Sequence, residues 1–307
     1  MLLGRRHCAA AASVVAIAVA ACGGSSKRVE PQLPDIVGEP YEGALKFDWP
    51  AGCSVPVAEV VKKSGDTAEL TYRLRIDDTG TEKEISFTEM SIERVNGHEP
   101  PDVASVLAGF RLPSIRVDAA GAFVRVEGMD DLIEELVADE PGIAEMFTPE
   151  FTALVADSVG SKYWDSWVGF WSDLGEIDAE GIEATEVQID VGEASYDTTI
   201  SVESLGTTAD GDAVLRQTQV LGGEDFIRAL GSALSLAADL PSDEITSGGV
   251  TGTRRIVSEI ATDPTTLRPR FASFTMDIAI KRNGGTSSQT ERRRWSFDWA
   301  ATRCGAA

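Results

Sequence analysis

Period-two alternation of apolar and polar side chains predicts an α+β protein: a curved, mostly antiparallel β-sheet with a helical cap. Leu70, Tyr72, Leu74 and Ile76 alternate against Glu69, Thr71, Arg73 and Arg75, the pattern of a strand with one buried face. Turn signals separate such runs, among them Asp77-Asp78-Thr79-Gly80 and Asn283-Gly284-Gly285. Helical periodicity is confined to a block at about 129–175 and a shorter stretch after Gly223. Helices segregated from strands in this way exclude a doubly wound parallel sheet.

Taken in order, Leu45, Phe47 and Trp49 alternate as the first strand. After the turn at 77–80, Ile85 and Phe87 run in one phase and Met90 and Ile92 in the other, which predicts a β-bulge between them. Ile115 and Val117 turn through Asp118-Ala119-Ala120-Gly121 into Phe123–Val126, completing a meander with one apolar face. Asp130 caps a helix carrying Leu132, Ile133, Leu136 and Val137, closed by Pro141-Gly142. Thr148-Pro149 opens a second, with Phe151, Leu154, Val155 and Val159 on its face and Gly160 at its end. Tyr163–Trp171 forms a third, stopped near Gly175. Strands resume at Val187–Val191, at Ile200–Val202 and, past an Asp210-Gly211 turn, up to about Val220. Gly223-Glu224-Asp225 then opens a helix with Phe226, Ile227, Leu230, Leu234 and Ala237. Three long strands close the chain, at about 250–262, Phe274–Ile280 and Trp295–Trp299. The similar openings Gly128-Met129-Asp130-Asp131-Leu132-Ile133 and Gly223-Glu224-Asp225-Phe226-Ile227 hint at two related halves.

The 307 residues include 50 acids against 27 bases, a net charge of −23. Phosphate contacts need clustered Lys and Arg, so this balance excludes a nucleic-acid partner. It also argues against adhesion to anionic lipid through a basic face. The one basic cluster, Arg292-Arg293-Arg294, sits on a strand whose alternation sends its members to opposite faces.

The first residues carry the most specific message. A short basic start (Arg5, Arg6) precedes an uncharged run from Cys8 to Ala21, the composition of a secretory signal too short to span a bilayer. Val19-Ala20-Ala21-Cys22 resembles the lipobox of bacterial lipoproteins. That resemblance implies a signal peptide over 1–21, cleavage before Cys22 and lipidation of that cysteine, with diacylglycerol on its thiol and a palmitate-type chain on the amine that cleavage frees. It also implies an extracytoplasmic, lipid-anchored home in the cell envelope, at the outer membrane in a Gram-negative cell because Gly23 follows the cysteine. Removing 1–21 takes away two arginines and no acid, so −23 becomes −25. Residues 22–42 then comprise the lipidated cysteine and a flexible tether, and 43–305 a single α+β domain.

Cys53 and Cys304 remain, in an oxidising compartment. Each follows a Phe-Asp-Trp triplet, at 47–49 and 297–299. The parallel predicts first and last strands side by side, with a disulfide joining their ends.

Catalytic and metal chemistry find little support. His98 is the one histidine beyond the signal, set in the turn Asn96-Gly97-His98-Glu99-Pro100-Pro101, and no Gly-x-Ser-x-Gly elbow accompanies it. Too few His and Cys survive for a zinc site, so no metal and no cofactor is expected. The acidic stretch Asp173–Glu183 puts a glycine at the sixth position from Glu176, as a calcium loop requires. Glu183 stands where an apolar residue belongs and Val187 where a bidentate Glu belongs, so it reads as a solvated loop. Gly248-Gly249-Val250-Thr251-Gly252 lacks the lysine of a phosphate loop.

The aromatic helix is the candidate binding element. Trp164, Trp167, Val168 and Trp171 share one face at helical spacing, flanked by Tyr163 and Phe170. They either plug the concave side of the sheet as core or line an apolar ligand cavity. The order of elements is similar to that of half-barrel envelope lipoproteins, which hold or ferry lipids or acyl chains; the likeness covers element order alone. The function expected is a non-enzymatic, membrane-anchored lipoprotein binding a hydrophobic ligand or a protein partner. The alternatives are an extracytoplasmic hydrolase using carboxylates and a purely structural surface protein.

Overall fold

In a computed structural model the described residues are 30–100, 112–139, 152, 156, 160, 162–191, 194–223, 225–229, 250–282 and 285–305. Cys22, the helix face at Phe151, Leu154, Val155 and Val159, and Leu230, Leu234 and Ala237 lie outside them.

The strands are β1 (Ile36–Gly38), β2 (Gly43–Ala44), β3 (Cys53–Lys63), β4 (Asp66–Asp78), β5 (Glu82–Val95), β6 (Ser114–Asp118) and β7 (Phe123–Glu127). After the helices come β8 (Glu176–Ile177), β9 (Ile182–Val191), β10 (Ala194–Thr208), β11 (Ala213–Gly222), β12 (Thr251–Asp263), β13 (Arg268–Arg282), β14 (Gly285–Phe297) and β15 (Arg303–Cys304). Thirteen of them form one sheet, in the order β1-β10-β11-β12-β13-β14-β3-β4-β5-β6-β7, with β9 also on β10 and β15 on β3. All its pairings are antiparallel, and β7 does not meet β1 or β9, so the sheet is open rather than a barrel. The helical segments are α1 (Met129–Asp139), α2 (162–167), α3 (Gly169–Leu174) and α4 (225–229).

One face is apolar and one is solvated. Val55 and Val57, Tyr72 and Leu74, Leu215, Ile260, Ala272, Trp295 and Phe297 all belong to a single core cluster on the inner face. The outer face is laced with ion pairs: Arg216 with Glu259, Arg116 with Glu84 and Glu127, Arg270 with Asp210 and Asp212. The predicted bulge is present. The β4–β5 register slips between Thr71 and Arg73, where Glu89 adopts φ 52°.

Two expectations need correction. Leu45, Phe47 and Trp49 do alternate into the core, but they form no ladder. Backbone N–H groups there donate to Gly175, Pro264 and Thr266, so the segment is an extended connector wedged between helix and sheet. The first long strand is β3, which begins at Cys53. Part of the stretch read as a tether reaching residue 42 is also docked on the sheet. Glu30 pairs with Lys62 and Arg294, and β1 adds to β10. Gly206 makes that docking possible: its φ is +137°, and a Cβ there would come within 2.4 Å of Ile36.

β14 lies beside β3, and Cys304 is directly opposite Cys53, to which it is disulfide-bonded across 251 residues of sequence. Cys53→Ser/Cys304→Ser is expected to lose up to about 5 kcal/mol of stability in the chain-entropy model. Urea titration of the double variant against the oxidised protein measures it; equal midpoints would show that the unfolded chain gains nothing from the link.

Candidate functional site

The aromatic helix supplies the centre of the core. Trp164, Trp167, Val168 and Trp171 have no exposed surface. The helix is broken rather than continuous: Val168 leaves helical geometry at φ −146°, and α3 ends on Gly175 at φ +70°. Trp164 stacks edge-on against Trp49 at 5.2 Å and Phe47 at 5.8 Å, and its indole N–H donates to the Gly121 carbonyl at 2.7 Å. Trp167 meets Trp295 at 5.8 Å and Phe297 at 5.5 Å, both near perpendicular. Of the two roles open at sequence level, this placement is that of a core plug. A depression of about 400 Å³ lies elsewhere, over Pro56, Ala58, Thr71, Arg73 and Ser296 of β3, β4 and β14.

At the edge of that core the inner face carries charge. On β3, Val55, Val57, Glu59 and Val61 share a phase; on β14, Phe297, Trp295, Arg293 and Glu291 do. The strands pair Trp295 with Glu59 and Arg293 with Val61, which brings Glu59, Arg293 and Glu291 together. Glu59 and Glu291 are 2% and 3% exposed. Arg293 bridges them, its Nη1 3.1 Å from Glu59 Oε1 and its Nε 2.8 Å from Glu291 Oε1. From α2 above, Lys162 Nζ donates to Glu291 at 2.6 Å. Tyr163 accepts a hydrogen bond from Arg293 and donates to Glu59 at 3.5 Å.

The two carboxyls titrate in opposite directions. Burial raises the Glu59 pKa, and Arg293 offsets this only in part. Burial also pushes Glu291 up, but Arg293 and Lys162 outweigh it and hold the group down at about 2. Lys162 is lowered to about 8 by burial and by repulsion from Arg293, against the pull of Glu291. Burial and then Glu59 push Tyr72 well above its ordinary value. Tyr72 Oη and Trp295 Nε1 face Glu59 without completing a hydrogen bond.

A separate acid lies on the helix itself. Asp165 is held up at about 7 by burial and then by the Asp173 carboxylate. A Cβ at Gly169 would approach its Oδ1 to 2.5 Å, so glycine is what makes room for it.

These inward charges were not read from the sequence. The signal was there: Glu59 is in phase with Val55, Val57 and Val61, and Arg293 with Trp295 and Phe297. Strand alternation divides Arg292–Arg294 between the faces: Arg293 joins Glu59 and Glu291, and Arg294 reaches Glu30 on the opposite face. Half-buried His98 pairs backbone to backbone with Val95 at a hairpin end, and Ile182 and Glu183 of the acidic stretch fall in edge strand β9. Among the described residues no cluster of three or more His, Cys, Asp or Glu is placed to hold a metal, and no helix is long and apolar enough to cross a membrane.

No family model and no curated protein matches the chain. Among solved structures it is similar to one titled "Lipid-protein interactions in lipovitellin", at 9% identity and a TM-score of 0.45. The match covers 85% of this chain but 26% of that one, and a likeness at this level carries no argument about function.

Removing one partner of a buried pair leaves an uncompensated charge, so Arg293→Gln is expected to cost about 3–5 kcal/mol. Burial works against the Glu59 charge, while Arg293 and Lys162 hold that of Glu291, so Glu59→Gln is expected to cost clearly less than Glu291→Gln. Chemical denaturation of the three variants gives the ranking; equal losses at Glu59 and Glu291 would contradict the asymmetry. Asp165 has its own signature. Folded, it keeps its proton to about pH 7, while the unfolded chain releases it near 4, so stability falls as pH rises through that window. Asp165→Asn should raise stability at pH 8 by roughly 1–3 kcal/mol, discounted for partial exposure, and leave it unchanged at pH 4. Melting curves at the two pH values test this.

Proposed function

We propose that this protein is an acyl-anchored, non-enzymatic envelope lipoprotein that holds a hydrophobic ligand against the inner face of its sheet. In this reading the sheet is a half-barrel, and the helical segments cap its concave side. The observation that carries the ligand is the incomplete burial of that face. Beneath α2 and α3 it is sealed by tryptophan, but toward the Gly252 end Ile256, Met276, Ile278 and Ile280 are only partly buried. Aliphatic surface left half-open beside a packed core gains from an apolar occupant at about 25 cal/mol per Å² covered.

Anchoring rests on the lipobox residues Val19–Cys22. Membrane attachment through Cys22 would free the domain from any need for a basic surface, which fits its acidity. A protein partner on the same face is the other form of this reading.

Carboxylate hydrolysis has one specific observation in its favour, the opposed pKa values of Glu59 and Glu291, the pattern that separates a general acid from a base. Their near-complete burial and shared arginine fit a structural network better, because a substrate must reach both groups.

Expressed with its native leader in a bacterium, the wild type is expected in the membrane fraction with a mass increase of one diacylglycerol plus acyl chain on Cys22. Cys22→Ser should shift it to the soluble fraction with unmodified mass. Wild type in the soluble fraction, cut elsewhere and unacylated, would remove the anchor from this reading.

A further inference from the structure

Arg254 is an inward charge that the buried network does not use. It stands on β12 between Leu221 of β11 and Ile278 of β13, on the face that carries the core. Its Nε is buried without a hydrogen-bond partner, and no carboxylate among the described residues pairs with it. Burial lowers its pKa from the ordinary arginine value. The contrast with Arg293, which meets two carboxylates and a phenol, is complete.

The surroundings have the shape of an amphiphile site. Next along the face come Ile256 and Met276, paired across β12 and β13, and both are only partly buried. At one end Phe226 of α4 sits on Gly252, where a Cβ would come within 2.7 Å of its ring. At the other, Lys162 lies 4.8 Å above the Phe274 ring. The strip between spans about 20 Å of strand. Ile256, Met276 and Ile278 line it, flanked in the same phase by Gln219 of β11 and Gln289 of β14, and it holds one guanidinium with no carboxylate partner among the described residues. A desolvated cation without a partner is costly, and an anion that brings its own apolar chain removes both penalties at once.

We propose that this strip binds a single-chain anionic amphiphile, its carboxylate or phosphate head on the Arg254 guanidinium and its hydrocarbon along Ile256, Met276 and Ile278. The proposal rests on the hydrophobic-ligand reading above and gives it a ligand class and a head-group residue. Arg254 suits either head because its planar fork matches both.

Calorimetric titration of the delipidated full chain with palmitate, hexadecyl phosphate and hexadecanol tests it, the chain length being constant. Wild type is expected to bind at least one of the two anions about tenfold or more tightly than the alcohol, and the tighter of the two identifies the head group. Arg254→Gln should bring that anion down to the affinity of hexadecanol and leave hexadecanol unchanged, while Arg254→Lys keeps part of the preference. Met276→Asn should weaken all three. If all three bind wild type equally, or Arg254→Gln keeps the preference, this proposal fails while the hydrophobic-ligand reading stands. If none binds a protein with native near-ultraviolet dichroism, that reading fails as well. Should Arg254→Gln misfold, the wild-type preference between anion and alcohol decides alone.

Discussion

A one-sided sheet that does not close must have its apolar face covered by something, and the rest of this structure follows from that requirement. Thirteen antiparallel strands put valine, leucine, isoleucine and aromatic side chains on one surface and ion pairs on the other. Closure into a barrel would have buried the inner face by curvature alone. With β7 and β1 at open ends, the cover comes from inserted segments. Large rings of the connector at 45–49 and of α2 and α3 belong to the same core cluster as that face, and a few indoles fill more space per residue ordered than any aliphatic set. Trp164 is tied to Gly121 and Trp49 to Leu267 by their N–H groups, so the plug is oriented as well as buried.

The cover changes character along the strands. Under the tryptophans it is dry and apolar. One or two rows on, Glu59, Arg293 and Glu291 occupy positions that alternation reserves for hydrophobic residues, and Lys162 and Tyr163 of α2 close over them. Such a network adds little net stability compared with apolar packing of the same volume. Beyond it Ile256, Met276, Ile278 and Ile280 are only partly buried, with Gln289 of β14 and Gln219 of β11 beside them.

Much of this was legible in the chain. The meander, the bulge near Glu89 and the segregated helices follow from periodicity and punctuation, which are local, and the cysteine partners from the two Phe-Asp-Trp triplets that precede them. What was not legible depends on tertiary context. Phe47 and Trp49 alternate as a strand would, yet their alternation comes from lying between two layers, and only the hydrogen-bond partners reveal it. β3 escaped notice because Pro56 and Glu59 interrupt an otherwise plain run of valines, and Lys62-Lys63 ends it. The aromatic helix was visible as a face, but whether a face lines a void or fills it depends on the volume opposite. That volume is set by Phe297, Trp295 and Phe87, from strands far away in sequence.

The pairing of Cys53 with Cys304 has a consequence for the covalent shape of the molecule. Between those two residues the polypeptide is a closed ring, with 52 residues of the sequence before it and three after it. A single backbone cut at any of its turns, such as the exposed Asn96-Gly97 at the end of β5, opens the ring without dividing the molecule. Within the ring, two cuts, or one cut and a reductant, are needed to release a fragment. For a domain whose sheet edges are exposed, one nick is thus a change of connectivity and not a loss of material.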